Sequence, residues 1–260
     1  MGKIRASLAA VIDSEEVNST YYRIAKYLLK NNYIVNHVSI DDVANNCYCA
    51  KSTVSRFARQ IGYDNYYELN QDLYVSTTKS QDKYDRYLLE DFKDTKDLFF
   101  NDLINSIIKS KDSVTESSVN KLVLLINKYE EIGIFGNLQS QTIAQKFQND
   151  MGLSRKIMTS SLLPEHQKTY IKEADNNTLV IIISFSGDYF RHFIHHNFSI
   201  KQRPYFVLIT CNEKMKDAKY YDDVIFLACN DNYAARAHII SFYLNLVAIE
   251  YAKKLKSAIK

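Results

Sequence analysis

The sequence predicts an α/β fold class in two parts, an N-terminal all-α domain followed by an α/β domain with a five-stranded parallel sheet. Residues 1–77 carry their apolar residues at helical spacing only. After Thr115, short apolar runs alternate with helical stretches at intervals of roughly 20–25 residues, which is typical of a parallel sheet covered on both faces. We therefore expect a helical domain over 1–77, a partly helical linker over 78–114 and an α/β domain over 115–260.

The composition is that of an ordinary globular protein. The chain has 260 residues, of which 46% are apolar, and with only 6 Gly and 2 Pro it excludes collagen-like and Pro-rich architectures. Four Cys give no disulfide framework and indicate a reducing compartment. The first residues show no signal-peptide pattern, so we expect no such segment, and the longest apolar runs, such as 179–183, are far too short to span a bilayer. We expect a cytoplasmic protein with no membrane partner.

Three helices are predicted in the N-terminal domain. Asn18 and Ser19 are suitable caps for a first long helix that ends near residue 32. The segment 39–42 resembles a capping box and starts a short helix to about residue 46. A helix over 51–60 follows and stops at Gly62. A short helix, a tight turn and a second helix ended by Gly are the organisation of a helix-turn-helix.

The second half supplies the strands and a long final helix. The five predicted strands cover residues 132–135, 157–158, 179–183, 205–209 and 224–227. A helix over 234 to about 256 carries apolar residues on more than one face, which indicates a subunit interface in addition to the core.

Positive charge in the N-terminal domain is concentrated on the 51–60 helix. Residues 1–77 contain eight basic and eight acidic residues, yet this helix has Lys51, Arg56 and Arg59 and no acid. That pattern is expected of a helix that enters the DNA major groove, although a solvated helix face would show it too. The candidate DNA-contacting residues are Lys51, Ser52, Thr53, Ser55, Arg56 and Arg59.

Spaced blocks within residues 15–75 strengthen the DNA-binding interpretation. The segments 18–27, 39–40, 53–57 and 61–63 resemble the N-terminal DNA-binding domain of the RpiR family of bacterial regulators. Two positions depart from the family pattern, since its turn Gly falls on Tyr48 and its N-cap Ser falls on Ala50. These departures concern the geometry of the turn more than the fold.

Two Cys/His groups are weak metal candidates. Cys47-Tyr48-Cys49 has no second ligand pair at zinc spacing, which favours small apolar residues packed in the turn. His192, His195 and His196 could form a metal pair on one helix face, but no carboxylate supports them, and a solvated polar face is the simpler interpretation. We expect no metal and no cofactor.

Two loops in the α/β half have the composition of anion-binding turns. Residues 136–140 follow the first predicted strand, and residues 184–188 follow the most apolar one. Loops at the carboxyl ends of parallel strands open helices whose free N–H groups favour an anion, and Ser hydroxyls add donors. For either loop alone, an ordinary strand-to-helix turn remains the alternative.

Taken together, the two loops resemble the motifs of the sugar isomerase (SIS) domain, which RpiR regulators carry behind their DNA-binding domain. Gly136, Ser140 and Ala144 match the first motif. The resemblance implies a phosphosugar site, and the candidate effector-binding residues are Gly136, Gln139, Ser140, Ser184, Ser186 and Gly187. Leu138 replaces the family's second Gly, and Tyr189 replaces a Thr that closes the phosphate loop.

The resemblance implies a transcriptional regulator whose SIS domain senses a phosphorylated sugar or amino sugar. Such a protein would bind a near-palindromic operator as a homodimer or higher homo-oligomer. We expect no enzyme and nominate no catalytic residue, because no carboxylate in residues 228–236 is a convincing general base. Two alternatives stay open: a phosphosugar isomerase with an added helical domain, and a DNA-binding regulator whose degenerate SIS domain only dimerises.

Overall fold

The computed structural model describes residues 3–31, 38–78, 85–190, 202–230 and 233–258. The chain divides into two compact units, one formed by Met1–Asp85 with Leu162–Gln167 and the other by Arg86–Ser161 with Lys168–Lys260. Within the described ranges, no helix combines the length and the apolar character that a membrane span requires. The His192 cluster lies outside the described residues.

The first unit is built from helices. They are α1 (Lys3–Ser14), α2 (Thr20–Asn31), α3 (Ile40–Asn46), α4 (Lys51–Gln60) and α5 (Tyr66–Thr78). The predicted helices over 20–31, 40–46 and 51–60 are present, and α1 was not predicted as a separate helix. A single core joins the helices, and Ile4, Leu28, Val54, Phe57 and Leu69 are fully buried in it. Burial of this apolar surface is the main stabilising contribution.

The second unit contains a four-stranded parallel sheet. Its strands are β1 (Glu131–Gly136), β2 (Thr178–Ile183), β3 (Tyr205–Thr210) and β4 (Asp223–Phe226), in the spatial order β1-β2-β3-β4. The expectation of a fifth strand at 157–158 was wrong. That segment contributes one parallel bridge between Gly133 and Thr159, and Ile157 is 84% exposed. An apolar run of two residues is too short to sustain a ladder.

Helices cover both faces of the sheet. Along β2, Leu179, Ile181 and Ile183 pack in a cluster with residues of helices α7 (Glu116–Lys128), α8 (Gln139–Leu153) and α10 (Tyr233–Ala258). Val180 and Ile182 point to a second cluster on the other face. The alternation explains why this strand is apolar throughout, because both of its faces are buried.

Much of the segment predicted as a linker is one long helix of the second unit. Helix α6 (Phe92–Lys111) packs against α10, and its buried residues Ser106 and Ser110 are small. Helix α9 (Pro164–Glu173) completes the helices of the described chain. Helices α6 and α10 also carry exposed apolar side chains: Phe100, Ile104, Ile108, Phe242, Leu246 and Ile249.

Candidate functional site

The turn between α3 and α4 is held by two backbone hydrogen bonds of a Schellman motif. The Cys49 N–H donates to the Ala44 carbonyl at 2.9 Å, and the Tyr48 N–H donates to the Asn45 carbonyl at 3.3 Å. This motif needs a left-handed residue after the helix, and Tyr48 takes that position with φ +50°. The residue that stands where the resembled family has Gly therefore adopts a glycine-like conformation.

Helix α4 is fixed differently at its two ends. Ala50 occupies the N-cap position and makes no side-chain hydrogen bond, so the helix begins without a capping hydroxyl. At the other end Gly62 has φ +89°, and Tyr63 N–H donates to the Ala58 carbonyl at 3.0 Å. The preceding helix α3 has a full capping box between Ser39 and Asp42. The tight turn and the two ends of α4 thus fix where the helix begins and ends and how it is oriented after α3.

The two faces of α4 differ sharply in burial. Val54, Phe57 and Ala58 are fully buried, and the ring of Phe57 packs edge-on against Tyr21 at 5.4 Å between centroids. On the outward face, Lys51, Ser52, Arg56 and Arg59 are exposed, whereas Thr53 and Ser55 are half-buried. All six predicted contact residues are therefore outside the core, and four of them are exposed.

Two contacts organise the polar side chains of α4. The Lys51 ammonium pairs with the carboxylate of Asp41 on α3. The Arg56 guanidinium donates to the Thr53 hydroxyl at 3.3 Å. Asp41 was not predicted to be part of this surface, and it partly neutralises the positive charge at the start of the helix.

The cysteines of the turn pack as small apolar residues. Cys47 is 1% exposed and belongs to the core of the first unit, while Cys49 is half-buried beside it. Burial raises the pKa of Cys47 to about 11 and also raises the pKa of Cys49. Among the described residues, no group of three or more His, Cys, Asp or Glu side chains could hold a metal ion.

In the second unit, two loops lie side by side at the carboxyl edge of the sheet. Gly136 ends β1 directly beside Ile183, the last residue of β2. A Cβ at Gly136 would come within 2.9 Å of the Ile183 carbonyl oxygen and within 2.8 Å of the Ser140 backbone. Only glycine fits where the first loop turns into α8, so the predicted role of Gly136 has a steric basis.

The first loop is held from inside by Gln141. Its side-chain oxygen accepts from the Gly136 N–H at 2.9 Å, and its amide donates to the Ser160 hydroxyl at 2.7 Å. Ser140 is 4% exposed at the start of α8, whereas Gln139 is exposed. Sequence reasoning missed Gln141, whose role depends on contacts with residues distant in the chain.

Leu138 is the strained residue of this loop. It occupies the N-cap position of α8 with φ +53° and ψ −121°, and it makes no side-chain capping bond. This region of the backbone map is costly for a residue with a Cβ, by about 1–3 kcal/mol. The half-buried Leu138 side chain lies where the resembled motif has a glycine.

The second loop forms a compact turn around two serine hydroxyls. The Ser184 hydroxyl oxygen accepts from the Gly187 N–H at 3.1 Å, and the Ser186 hydroxyl oxygen accepts from the Asp188 N–H at 3.4 Å. Each of these bonds uses the oxygen as acceptor and leaves the hydroxyl hydrogen able to donate. Gly187 has φ +80°, and a Cβ there would overlap the Met215 side chain.

Residues after β3 support the second loop from the neighbouring strand. The Asn212 amide donates to the Ser186 carbonyl at 2.7 Å, and the Thr210 hydroxyl lies 3.4 Å from the Phe185 carbonyl. Ser184 N–H donates to the Ile209 carbonyl at 3.1 Å, which continues the sheet ladder into the loop. Neither Thr210 nor Asn212 was predicted, because no local motif marks them.

The Tyr189 side chain packs in the core and not at the loop. Its side chain is 1% exposed in the second apolar cluster, and burial raises the pKa of its hydroxyl well above the usual value. A Thr at this position could offer a hydroxyl to an anion held by the loop. Tyr189 contributes apolar packing instead.

The first unit is a helix-turn-helix bundle in which α4 presents a basic outer face. The second unit is a parallel α/β domain that carries two Ser/Gly loops at one edge of its sheet. Residues 10–80 match the family model described as "Helix-turn-helix domain, rpiR family". The chain therefore carries a helix-turn-helix domain of the rpiR family, as its sequence blocks indicated.

Two regulators and one solved structure are similar to this chain over different shares of its length. An uncharacterized HTH-type transcriptional regulator of Caldanaerobacter subterraneus is 36% identical over 24% of this chain and 22% of its own length. The HTH-type transcriptional regulator GlvR of Bacillus subtilis is 22% identical over 66% of this chain and 63% of its own. This chain thus spans less than two thirds of either relative. The Vibrio vulnificus NanR protein complexed with ManNAc-6P matches 98% of this chain and 92% of its own at 16% identity, with a TM-score of 0.48.

Proposed function

We propose that this protein is a transcriptional regulator that binds operator DNA through α4 and a phosphorylated sugar at the carboxyl edge of its sheet. The observation that carries the proposal is the outward face of α4. Within an rpiR-family helix-turn-helix domain, this face joins accessible Ser52, Arg56 and Arg59 side chains opposite a buried apolar face. Arginine on a recognition helix contacts phosphates or pairs with guanine in the major groove.

The DNA-binding half of the proposal is tested by sequence selection. The full chain is incubated with a library of random double-stranded DNA, and bound sequences are enriched and aligned. A near-palindromic consensus is expected, because paired recognition helices read two half-sites. Enrichment of no sequence, with binding explained by charge alone, would overturn specific recognition.

Variants then assign the recognition helix. On the selected site, Arg56→Ala should weaken binding about 5- to 100-fold, as expected for loss of a base contact. Lys30→Ala is the charge-matched control, because Lys30 is an exposed base on α2 of the same domain. Equal losses of DNA affinity in the two variants would show that α4 is not the recognition helix.

The effector half of the proposal depends on hydroxyl and N–H donors at the sheet edge. Ser184 and Ser186 lie on the loop after β2, and Ser140 lies in the first turn of α8, which begins just after the adjacent end of β1. Such a set suits a phosphate monoester, since it offers several neutral donors and the positive end of a helix dipole. Gly136 and Gly187 complete the proposed site by allowing the two loops their tight turns, and the exposed Gln139 is a further proposed contact.

Thermal shift with a panel of hexose, pentose and amino-sugar phosphates tests this site. A ligand at about 100 times its Kd should stabilise the folded protein by about 2.7 kcal/mol. Ser184→Ala should then weaken binding about 10-fold or more, because a hydrogen bond to a charged group is lost. Ser117→Ala, an exposed serine on α7, is the matched control.

A second candidate function is dimerisation without an effector. The buried Tyr189 and the strained Leu138 favour it, since both remove a feature that the resembled phosphate loops use. Absence of stabilisation by every phosphosugar, with DNA binding intact, would support this alternative over the sensor.

The proposal includes a homodimer formed through the second unit. The exposed apolar side chains of α6 and α10 repeat at i, i+4 and i+7 or i+8, so each helix shows a continuous apolar stripe, and the two helices pack against each other. An operator with two half-sites requires two copies of the chain, so we propose that a second copy covers these apolar stripes. Sedimentation velocity of the full chain measures the assembly directly.

A further inference from the structure

Tyr48 has the most exposed Tyr or Phe side chain in the described part of the chain, with 88% of its surface accessible. It lies in the turn between α3 and α4, three positions before the first residue of α4. A side chain this exposed buries almost no apolar surface, so it contributes little to the packing of the helical bundle. The stability of the first unit therefore does not account for an aromatic residue at this position.

The backbone of the turn does not account for it either. Tyr48 has φ +50°, in the left-handed region that glycine adopts freely and that is unfavourable for a residue with a Cβ. The hydrogen bonds of the turn are made by backbone groups, so glycine would form them with less strain. An unfavourable conformation at an exposed residue points to a role for its side chain outside the fold.

The position of the turn indicates what the side chain meets. In helix-turn-helix proteins the recognition helix lies in the major groove, while the preceding helix crosses the sugar-phosphate backbone. A turn that joins two such helices must pass the rim of the groove, which is lined by phosphates. Within the turn Cys47 is buried, Cys49 is half-buried and Ala50 has no polar group. Tyr48 is thus the turn residue that combines exposure with a polar side chain.

The chemistry of a tyrosine hydroxyl suits this rim. It is a neutral donor, and tyrosine is among the side chains that donate hydrogen bonds to DNA phosphates. The next basic residue along the chain, Lys51, is exposed and paired with the Asp41 carboxylate. A neutral donor beside this pair can bind a phosphate oxygen without adding charge, so the contact releases no counterion of its own.

We propose that the Tyr48 hydroxyl donates a hydrogen bond to a backbone phosphate at the rim of the major groove that α4 enters. This inference rests on the proposed function, because it requires α4 to be the recognition helix. The contact positions α4 in the groove without reading a base, so it adds affinity for an operator and for its close sequence variants alike. A dimer makes the contact once in each half-site.

Tyr48→Phe tests the contact, because it removes the hydroxyl and keeps the ring and the backbone. Operator binding by the full chain should weaken about 10-fold or more, as expected when hydrogen bonds to a charged group are lost. The ranking of single-base variants of the operator should not change, and neither should the dependence of affinity on salt. Tyr67→Phe is the matched control, since Tyr67 is a 73% exposed tyrosine on α5, and it should bind as the original chain does.

Neutral phosphate analogues locate the contact on the DNA. A set of operators is prepared, each with one phosphate replaced by a methylphosphonate. At one position in each half-site, the replacement should weaken binding of the original chain several-fold and leave binding of Tyr48→Phe unchanged. Such non-additivity is expected only if the hydroxyl and that phosphate interact.

Two results would overturn the inference. One is a Tyr48→Phe affinity within twofold of the original, and the other is a changed ranking of the single-base variants, which would indicate contact with a base. Circular dichroism of each variant shows that it is folded before binding is compared. If Arg56→Ala weakens binding and Tyr48→Phe does not, the proposed function stands and the tyrosine contact fails. If no operator is selected, specific recognition fails and the tyrosine contact fails with it.

Discussion

The Lys51 ammonium at the start of α4 is paired with the Asp41 carboxylate on α3, so an acid lies within the surface that we propose for DNA. The two side chains are 60% and 56% exposed, and such a pair contributes little to stability. Asp41→Asn should therefore leave the free energy of unfolding within about 1 kcal/mol of its original value. It should also tighten DNA binding several-fold, because Lys51 is released and a repulsion of phosphates is removed. Binding titrations on the selected operator measure the effect, with Asp13→Asn on α1 as control; equal effects of the two would contradict it.

Tyr48 offers a test of backbone strain in the turn. It is 88% exposed and has φ +50°, so its replacement loses little packing and removes an unfavourable conformation. Tyr48→Gly should raise the free energy of unfolding by about 1 kcal/mol in urea titrations. Tyr67→Gly is the contrast, because Tyr67 is exposed within α5 and glycine there should destabilise by about 1 kcal/mol. A loss of stability for both variants would show that Tyr48 is not strained.

Replacing Leu138 tests whether the second unit binds a sugar phosphate or serves only for dimerisation. Leu138→Gly relieves the positive φ but loses a half-buried side chain, so we expect only a small net change in stability. The variant should bind sugar phosphates more tightly than the original chain, since the ligand can approach the backbone more closely. Isothermal titration with the strongest ligand of the panel measures this. Weaker binding by the variant would argue that the Leu138 side chain itself contacts the ligand.

The cysteines should alkylate in a pH-dependent order. The pKa of Cys229 is lowered by the neighbouring Cys211 thiol and by the nearby cations Arg236 and Lys109, with burial opposing this, whereas burial raises the pKa of Cys47 to about 11. At pH 7.5 iodoacetamide should label Cys229 well before Cys47, as peptide mapping over time would show. Cys211→Ala removes the donor that stabilises the thiolate and should move the half-maximal labelling of Cys229 to higher pH. Faster labelling of Cys47 would contradict the assigned order.

The apolar stripes of α6 and α10 predict how the dimer can be broken. Leu246→Glu combined with Ile104→Glu places charge on both stripes and should yield a monomer that remains folded. Operator affinity should fall about 100-fold or more, because one half-site is lost from each complex. Leu153→Glu is the control, since Leu153 is a single exposed residue at the end of α8. A variant that stays dimeric would show that another surface joins the subunits.

Most of the secondary structure could be predicted because the spacing of apolar residues differs between helices and buried strands. The run from Thr178 to Ile183 is apolar at every position after the first, and its alternate residues belong to two clusters on opposite faces. Helix α4 followed from the apolar spacing of Val54, Phe57 and Ala58 and from the stop at Gly62. The pattern of α1 was present in Ile4, Leu8 and Val11, but no clear capping residue drew attention to it.

The site was less predictable because its geometry depends on distant contacts. Gly136 and Gly187 were recognisable in local motifs, and each is where a Cβ would clash. Gln141, Asn212 and Asp41 act through side-chain contacts with other elements, and no motif in the sequence marks these contacts. Tyr48 and Leu138 are intermediate cases: resemblance marked both as replacements for glycine, and only the structure shows that each has a positive φ, which glycine adopts more easily.

The parallel order β1-β2-β3-β4 has a consequence for how the protein matures. Strand β1 pairs with β2 across 47 residues of chain (Glu131 with Thr178), and β2 pairs with β3 across 26 (Leu179 with Tyr205), so the sheet cannot assemble until these long connections have been synthesised. The helical bundle is built mostly from contacts between consecutive helices within residues 3–78 and should assemble faster. During translation the N-terminal bundle therefore has time to fold on the ribosome before the sheet is complete. Nascent chains would acquire the basic helix before they acquire a partner subunit.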